Sequence, residues 1–418
     1  MPPAGLLGLL AAIGFLGCNG QVPQNDNEST EPVSDAAQAR DILARHPVFD
    51  GHNDLAWEIR RADPPLDVDA YDLNELTPGH TDLARLREGM VGEQFWSVYI
   101  PGEAADSGFA RMQLEQIDVA RRFIGKYPEL DLAGTADEVE AAIASGRIAS
   151  LIGMEGGHAI ENSISALRIY YDLGARYMTL THNVTLDWAD AASDEALHGG
   201  LTQFGEEVVH EMNRLGMLVD LSHVSPATMS DALNVSSAPV IFSHSSARAL
   251  TDHVRNVPDS ILVRLPENGG LVMVTFVPSF VSEPLRQWSV RRDSIRHAAE
   301  ELGYSGDSEV SEFETEYPRP QATIADVADH IEHVRNIAGI EHVGLGADFD
   351  GISSTPVGLE DVSTYPMLIT ELLHRGWTET EIGMLTNGNM LRALREAEAV
   401  AARLQLESIP STQRLSER

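Results

Sequence analysis

At 418 residues, with 43% hydrophobic and 22% charged side chains, the chain can form one large globular domain, and its composition excludes a fibrous or wholly disordered protein. Its formal charge of −35 argues against a nucleic-acid partner and against docking on anionic lipid through basic patches, because both carry the same sign of charge. A single cysteine, Cys18, excludes an intramolecular disulfide.

In chain order, the first element is an uncharged apolar stretch, "GLLGLLAAIGFLGC", which ends at Cys18. At about 14 residues it is too short to span a bilayer and has the length of a signal-peptide apolar region. Its ending resembles a bacterial lipobox, although Phe15 stands where Leu is usual and no Lys or Arg precedes it. We expect residues 1–18 to be a signal peptide, with export to the periplasm or cell surface and membrane attachment only through lipid on Cys18. Residues 19–35 are too polar to bury a core and are expected to be a flexible tether. Residues 36–403 are then the folded domain, and 404–418 a loose tail.

Within the domain, apolar runs alternate with helical spacing. The expected strands are Val48–Phe49, Phe95–Ile100, Ala149–Gly153, Tyr177–Leu180, Met217–Leu221, Val240–Phe242, Leu271–Phe276 and Val343–Gly346. Helical patterns such as "TQFGEEVVHEMNRLG" and "SPATMSDALNVS" separate them, with Thr202 and Ser225 as N-caps and Gly174, Gly216 and Gly339 at C-terminal ends. Eight strand–helix units imply parallel pairing and a (β/α)₈ barrel. An open doubly wound sheet is the alternative, but no glycine-rich phosphate turn follows the first strand. Residues from about Pro278 to Pro320 form a long excursion after the seventh strand, where barrels commonly build lids or walls of a site.

Residue types that bind metals recur just past these runs: His52 and Asp54 in "VFDGHND", Glu155 in "LIGMEGG", His223 in "LVDLSHVS", His244 in "VIFSHSS" and Asp348 in "VGLGADFDG". Side chains just beyond the strands of a closed parallel sheet converge at one mouth. Three imidazoles and two carboxylates exceed a closed single-zinc site and suit two divalent metals sharing a ligand, with open positions for water. Singly, each residue has a plainer reading: a buried His beside a capping Asp, a Glu N-cap, or a His bonded to backbone. Their joint placement past the first, third, fifth and sixth strands makes coincidence a poor account. His80, His158, His198, His253, His330, His333 and His342 have no such placement and read as surface or core hydrogen-bonding groups. Trp57 and Trp96 read as wall and core.

The motifs "FDGHNDL", "HTDLARLREGMVGEQFWSVYIP", "LEQIDVARR", "GMEGGHAI", "TLTHN", "VDLSHVS", "PVIFSHSSARAL", "RNVPD", "NGGLVMVTF" and "HVGLGADFDG" resemble, in order, the membrane (renal) dipeptidase family of zinc metallopeptidases. The resemblance implies a (β/α)₈ barrel with two Zn²⁺ ions per chain. His52 and Asp54 would bind one, His223 and His244 the other, and Glu155 would bridge them. It further implies that His182 of "TLTHN" contacts the substrate near the scissile carbonyl and that Arg255 of "RNVPD", rather than the competing Arg248, holds the substrate's carboxylate. Asp348 would transfer the proton. Val277 departs from relatives that carry Tyr there, which bears on the side-chain pocket. The expected activity is hydrolysis of dipeptides, with a D-residue tolerated at the C-terminal position. Removal of an acyl group from an amino acid, β-lactam opening, and a metal-binding lipoprotein without turnover are the alternatives. Small dipeptides are the expected partners, and a homodimer is compatible with the sequence.

Overall fold

The computed structural model describes residues 34–103 and 108–415. Cys18, the expected signal peptide and nearly all of the expected tether lie outside them. Among the described residues there are nine strands: β1 (Val48–Asn53), β2 (Val91–Ser97), β3 (Leu130–Leu132), β4 (Ile148–Glu155), β5 (Ala175–Thr179), β6 (Leu218–Asp220), β7 (Val240–Ser245), β8 (Leu271–Val274) and β9 (Val343–Leu345). All pair in parallel, β1 lies between β2 and β9, and β2 pairs directly with β4. That last pairing closes eight strands into a barrel, and β3 is an extra strand on β4.

A (β/α)₈ barrel was the architecture expected from the alternating runs, and the differences are local. β3 has no apolar run, because Asp131 sits at its centre and only Leu130 is buried. β2 begins at Val91 rather than Phe95 and ends at Ser97, because Glu93 and Gln94 are polar yet fully buried in it. β1 continues through Asn53 and β7 through Ser245, so the strand bodies already include His52 and His244.

Two apolar layers hold the barrel. Phe49, Phe95, Leu151, Tyr177, Leu218, Ile241, Leu271 and Met273, one or two from each of seven strands, form one buried cluster with Met390, Ala393 and Leu394 of the helix Asn389–Glu407. Phe49 stacks on Phe95 at 5.6 Å between centroids, and Phe95 meets Tyr177 at 4.8 Å. A second, larger cluster lies where the strands' other faces meet the surrounding helices. The helices begin and end where side chains satisfy free backbone groups: Thr202 accepts from the Gly205 N–H, Ser225 from that of Thr228, and Gly216 closes its helix at φ 82°.

The excursion after β8 is helical, with segments Pro278–Val281, Glu283–Glu301 and Asp307–Glu316. It packs on itself through Trp288 and Phe313, 5.7 Å apart, with Arg291 over the Tyr317 ring. The expected loose tail also needs correction. The last helix runs to Glu407, and Ser411 is held because its N–H donates to Glu211 while its carbonyl accepts from Arg168.

Glu93 carries a testable cost. Its carboxyl is fully buried, burial pushes its pKa well above the ordinary value against the opposing hydrogen bond from Asn387, and one of its oxygens has no partner. A carboxyl raised in the folded state loses stability as pH climbs through and above the unfolded value near 4.5, because the unfolded chain releases the proton more readily. Glu93→Gln should therefore unfold at higher denaturant than the parent at neutral pH, with the difference disappearing near pH 4. A constant difference across that range would show that the carboxyl's charge is not the cause.

Candidate active site

The polar ends of the strands meet at one mouth. His52 lies within β1, Asp54 follows it at the start of the helix Leu55–Arg61, and Glu155 is the last residue of β4. His223 comes three residues after β6, His244 lies within β7, and Asp348 comes three residues after β9. The structure thus places three of these groups on strands rather than in the turns beyond, because the parallel ladder continues through them. His223 and Asp348 have φ of 69°, a left-handed backbone that is uncommon for residues with a side chain and concentrates at functional sites.

Glu155 is the hub. Its Oε1 lies 2.9 Å from His223 Nε2 and 3.3 Å from His244 Nε2, and its Oε2 lies 3.6 Å from His52 Nε2. His52 Nε2 is in turn 3.3 Å from Asp54 Oδ2. Asp348 offers an oxygen to the same group as His52 and Asp54, and His182 offers a ring nitrogen to the group of Glu155 and His223.

Each imidazole is pinned at its other nitrogen. His52 Nδ1 is 2.8 Å from the Tyr177 hydroxyl, and His223 Nδ1 is 3.1 Å from Asn183 Oδ1. His244 Nδ1 is 2.8 Å from Ser243 Oγ, whose single proton goes to Asp220 at 2.7 Å. Ser243 Oγ must therefore accept from His244 Nδ1–H, and Asn183 Oδ1 likewise can only accept. Those tautomers leave bare lone pairs on Nε2, and the Nε2 atoms of His223 and His244 are only 2.9 Å apart. Among the described residues His52 Nε2 and Asp54 Oδ1 have no hydrogen-bond partner. Converging lone pairs and carboxylates of this kind fit divalent metal ions, with each imidazole held by an outer partner.

The charges agree with that reading. Burial, then the neighbouring Arg255 and His182, hold His223 well below its ordinary pKa; burial and His52 do the same for His244. For His52, burial is outweighed by Tyr177, Glu155 and Asp54, which raise it well above the ordinary value. For Glu155, burial is outweighed chiefly by the charge of His52, with the His223 and His244 rings alongside, and its pKa is pulled well down. A proton and a cation compete for His52 Nε2, so metal binding releases protons. Burial, with Asp54 and Glu155 nearby, raises Asp348 well above the usual carboxylate range.

Asp54, Glu155, His223, His244 and Asp348 line a cavity of about 490 Å³ together with His182 and Arg255, and His52 is fully buried behind them. Arg255 is 6% exposed, has a guanidinium nitrogen without a partner and lies over the Phe280 ring at 5.3 Å. Burial lowers its pKa to about 10, so it stays cationic at neutral pH. Burial also lowers His182, whose ring packs at a tilt against those of His223 and Tyr99. All eight residues singled out in the sequence reach this mouth. Arg248 does not line it and instead donates to the Val254 carbonyl.

Other residues escaped sequence reasoning. Tyr177, Ser243 and Asn183, which pin the imidazoles, read as strand body or turn. Asp220 stands at the end of an apolar run just as Glu155 does, and that was the available signal. His253 also lines the cavity, stacked on Phe280 at 4.2 Å, although its sequence context marks nothing. Gly153 is the hidden enabler, because a Cβ there would collide with the Tyr177 ring and displace the hydroxyl from His52.

The family model for membrane dipeptidases (peptidase family M19) matches residues 36–408. The chain belongs to the membrane dipeptidase family. Dipeptidase 3 of Mus musculus is 43% identical over 368 residues, covering 87% of this chain and 67% of that protein. A probable dipeptidase, PvdM, from Pseudomonas aeruginosa has the same fold at TM-score 0.77 and 22% identity, covering 88% of this chain and 99% of that one. A metallopeptidase from Rhodobacter sphaeroides, solved with a phosphinate mimic of L-Ala-D-Ala, matches at TM-score 0.69 and 26% identity over 84% of this chain and 99% of that one. As a family member the protein is a metallo-dipeptidase, a hydrolase of dipeptides, and the His–Glu–Asp cluster is where this chain can hold metal.

The outer partners set a prediction. Ser243→Ala and Tyr177→Phe each remove one anchor and no metal donor, and each should weaken metal affinity about 10–100-fold. Competition against a chromophoric chelator measures this directly, with unchanged circular dichroism as the control for folding. Parental affinity in both variants would show that the anchors do not set the tautomers.

Proposed function

We propose that this dipeptidase works with two zinc ions, His52 and Asp54 holding one, His223 and His244 the other, and Glu155 both. The observation that carries the reading is the division of Glu155, whose two oxygens face different imidazole groups. Nitrogen and carboxylate donors in this number suit zinc and leave positions for water and substrate. When bound, two such cations acidify a water and polarise the scissile carbonyl.

The chain's own residues supply the rest. Arg255 can grip the substrate's C-terminal carboxylate with two parallel hydrogen bonds, which offsets the acidity of the mouth. His182, neutral at working pH, can donate a hydrogen bond to the oxygen that gains charge as the amide is attacked. Asp348, whose raised pKa favours holding a proton, can pass one to the departing amine. A cavity of about 490 Å³ is at the small end of ligand pockets, which favours two residues over a longer peptide. With the carboxylate and the scissile bond fixing the register, the second side chain's configuration matters little. The ligand of the Rhodobacter sphaeroides relative, a mimic of L-Ala-D-Ala, supports D-residue tolerance at that position.

Protein purified without chelator should carry close to two zinc equivalents per chain. Asp348→Asn should keep that metal and the fold yet lose activity by a factor on the order of 10² to 10⁴. One equivalent that added zinc does not raise would eliminate the shared site, and near-parental turnover in a metal-loaded variant would remove Asp348 from proton transfer.

A panel of dipeptides, their C-terminal amides and N-acyl amino acids tests the substrate class. Amidating the dipeptide and replacing Arg255 with Ala should each cost roughly 2–5 kcal/mol of transition-state binding, and the two losses should not add. Equal rates on a dipeptide and its amide would assign Arg255 another role, and faster turnover of N-acyl amino acids would make the enzyme a deacylase.

A further inference from the structure

A second cleft, of about 380 Å³, adjoins the catalytic cavity. The two share Val277, Gly351 and Ile352, which therefore form part of the wall between them. Only the first holds carboxylates. The catalytic cavity is lined by Asp54, Glu155, Asp348 and Asp350, whereas the second cleft has Arg292, Arg319 and four serines in its lining and no Asp or Glu among the described residues. In a chain with 64 acidic and 29 basic residues, a lining with cations alone runs against the composition.

The two arginines are not equally engaged. Arg292 lies over the Trp288 ring and pairs with its neighbour Asp293 at 2.7 Å. Arg319 donates to Ser354 Oγ at 3.1 Å, and among the described residues no carboxylate lies within 4 Å of it. Ser279 and Ser289 of the excursion and Ser354 opposite offer hydroxyls that can donate to the same anion. The excursion therefore builds one wall of this cleft, and the loop after β9 builds the other.

We propose that this cleft is an anion subsite of the dipeptidase, and that it receives an acidic side chain carried by the C-terminal residue of the substrate. The inference rests on the dipeptidase reading above. The placement follows from Arg255, which lies over Phe280, three residues along the chain from the dividing Val277. A residue whose main-chain carboxylate is gripped by Arg255 has its side chain beside that wall. Valine there leaves a lower barrier than a larger side chain, so a carboxylate two or three carbons long can pass toward Arg319. With Arg255 on the main-chain carboxylate and Arg319 beyond the wall, a dipeptide that is doubly negative at its C-terminal residue meets a separate cation for each carboxylate.

The test compares kcat/KM of the zinc-loaded full chain on Ala-Glu against Ala-Gln and on Glu-Ala against Gln-Ala. The second residue is used in whichever configuration is cleaved. Ala-Glu should be preferred over Ala-Gln by about twofold to fivefold, the scale of one exposed charged contact, with no such preference for Glu-Ala. The preference should shrink as salt rises from about 0.05 M to about 0.5 M. It should fall toward one in Arg319→Ala and invert in Arg319→Glu, an exposed position where the fold should tolerate both changes. Hydrolysis of all four dipeptides with an acid-to-amide ratio near one in the parent, or a ratio unmoved in both variants, overturns the subsite and leaves the dipeptidase reading standing. Failure to cleave any dipeptide overturns both.

Discussion

Three imidazoles turned toward one buried carboxylate are the constraint on which the rest of this molecule depends. Imidazole lone pairs 2.9 Å apart repel unless a proton or a cation lies between them. The protein removes the proton option for two of them, since their Nδ1 atoms are engaged with acceptors and burial disfavours a charged ring. What remains is a site whose geometry is relieved by metal. Glu155 can stay ionised at 4% exposure because the positive charge that His52 carries beside it, or a cation shared with the three rings, compensates it.

Such a site requires a scaffold that tolerates polar groups in its interior, and the barrel provides it by separating two layers. Phe49, Phe95, Leu151, Leu218, Ile241 and Leu271 form an apolar layer closed from below by the last helix. Above it lies a fully buried polar layer that includes Thr179, Asp220, Ser222 and Ser243. Asp220 organises it, accepting from the hydroxyls of Thr179 and Ser243 and from the N–H groups of Ser222 and Ser243, and so ties β5, β6 and β7 together under the metal site. Satisfied in this way, an otherwise costly buried charge becomes a rigid support.

Most of this architecture was legible in the sequence. Each candidate ligand followed an apolar run, and a parallel barrel leaves such residues only one place to meet, so fold and cluster followed from one pattern. What could not be read were contacts whose partners have no local pattern. Tyr177 looks like any strand aromatic, and its contact with His52 spans 125 positions of chain. Ser243 reads as a small strand residue. Glu93 and Gln94 lie inside β2 although their polarity argues for a strand that starts later. Arg319 meets Ser354 only because a helical excursion folds back over the mouth.

The polar mouth also accounts for where strain and unmet hydrogen-bonding capacity accumulate. His223, Asp348 and Asp350 all hold positive φ, and Gly351 follows because a Cβ there would collide with the carboxylates of both Asp54 and Asp348. Backbone bonds hold these turns: Asp348 N–H donates to the His52 carbonyl, Gly351 N–H to that of Asp348, and Ala192 N–H to that of His223. Each turn is thereby fastened to a strand or a neighbouring loop, which is how a left-handed residue persists. Unpartnered atoms of His52, Asp54, His182, Arg255 and Asp350 gather at the same mouth, and Glu93, bonded to Asn387 at the other end of β2, is an exception. Stability and chemistry are therefore drawn from different depths of one barrel, so a substitution among the apolar residues below should unfold the protein, and one at the mouth should spare the fold while changing what the site can hold.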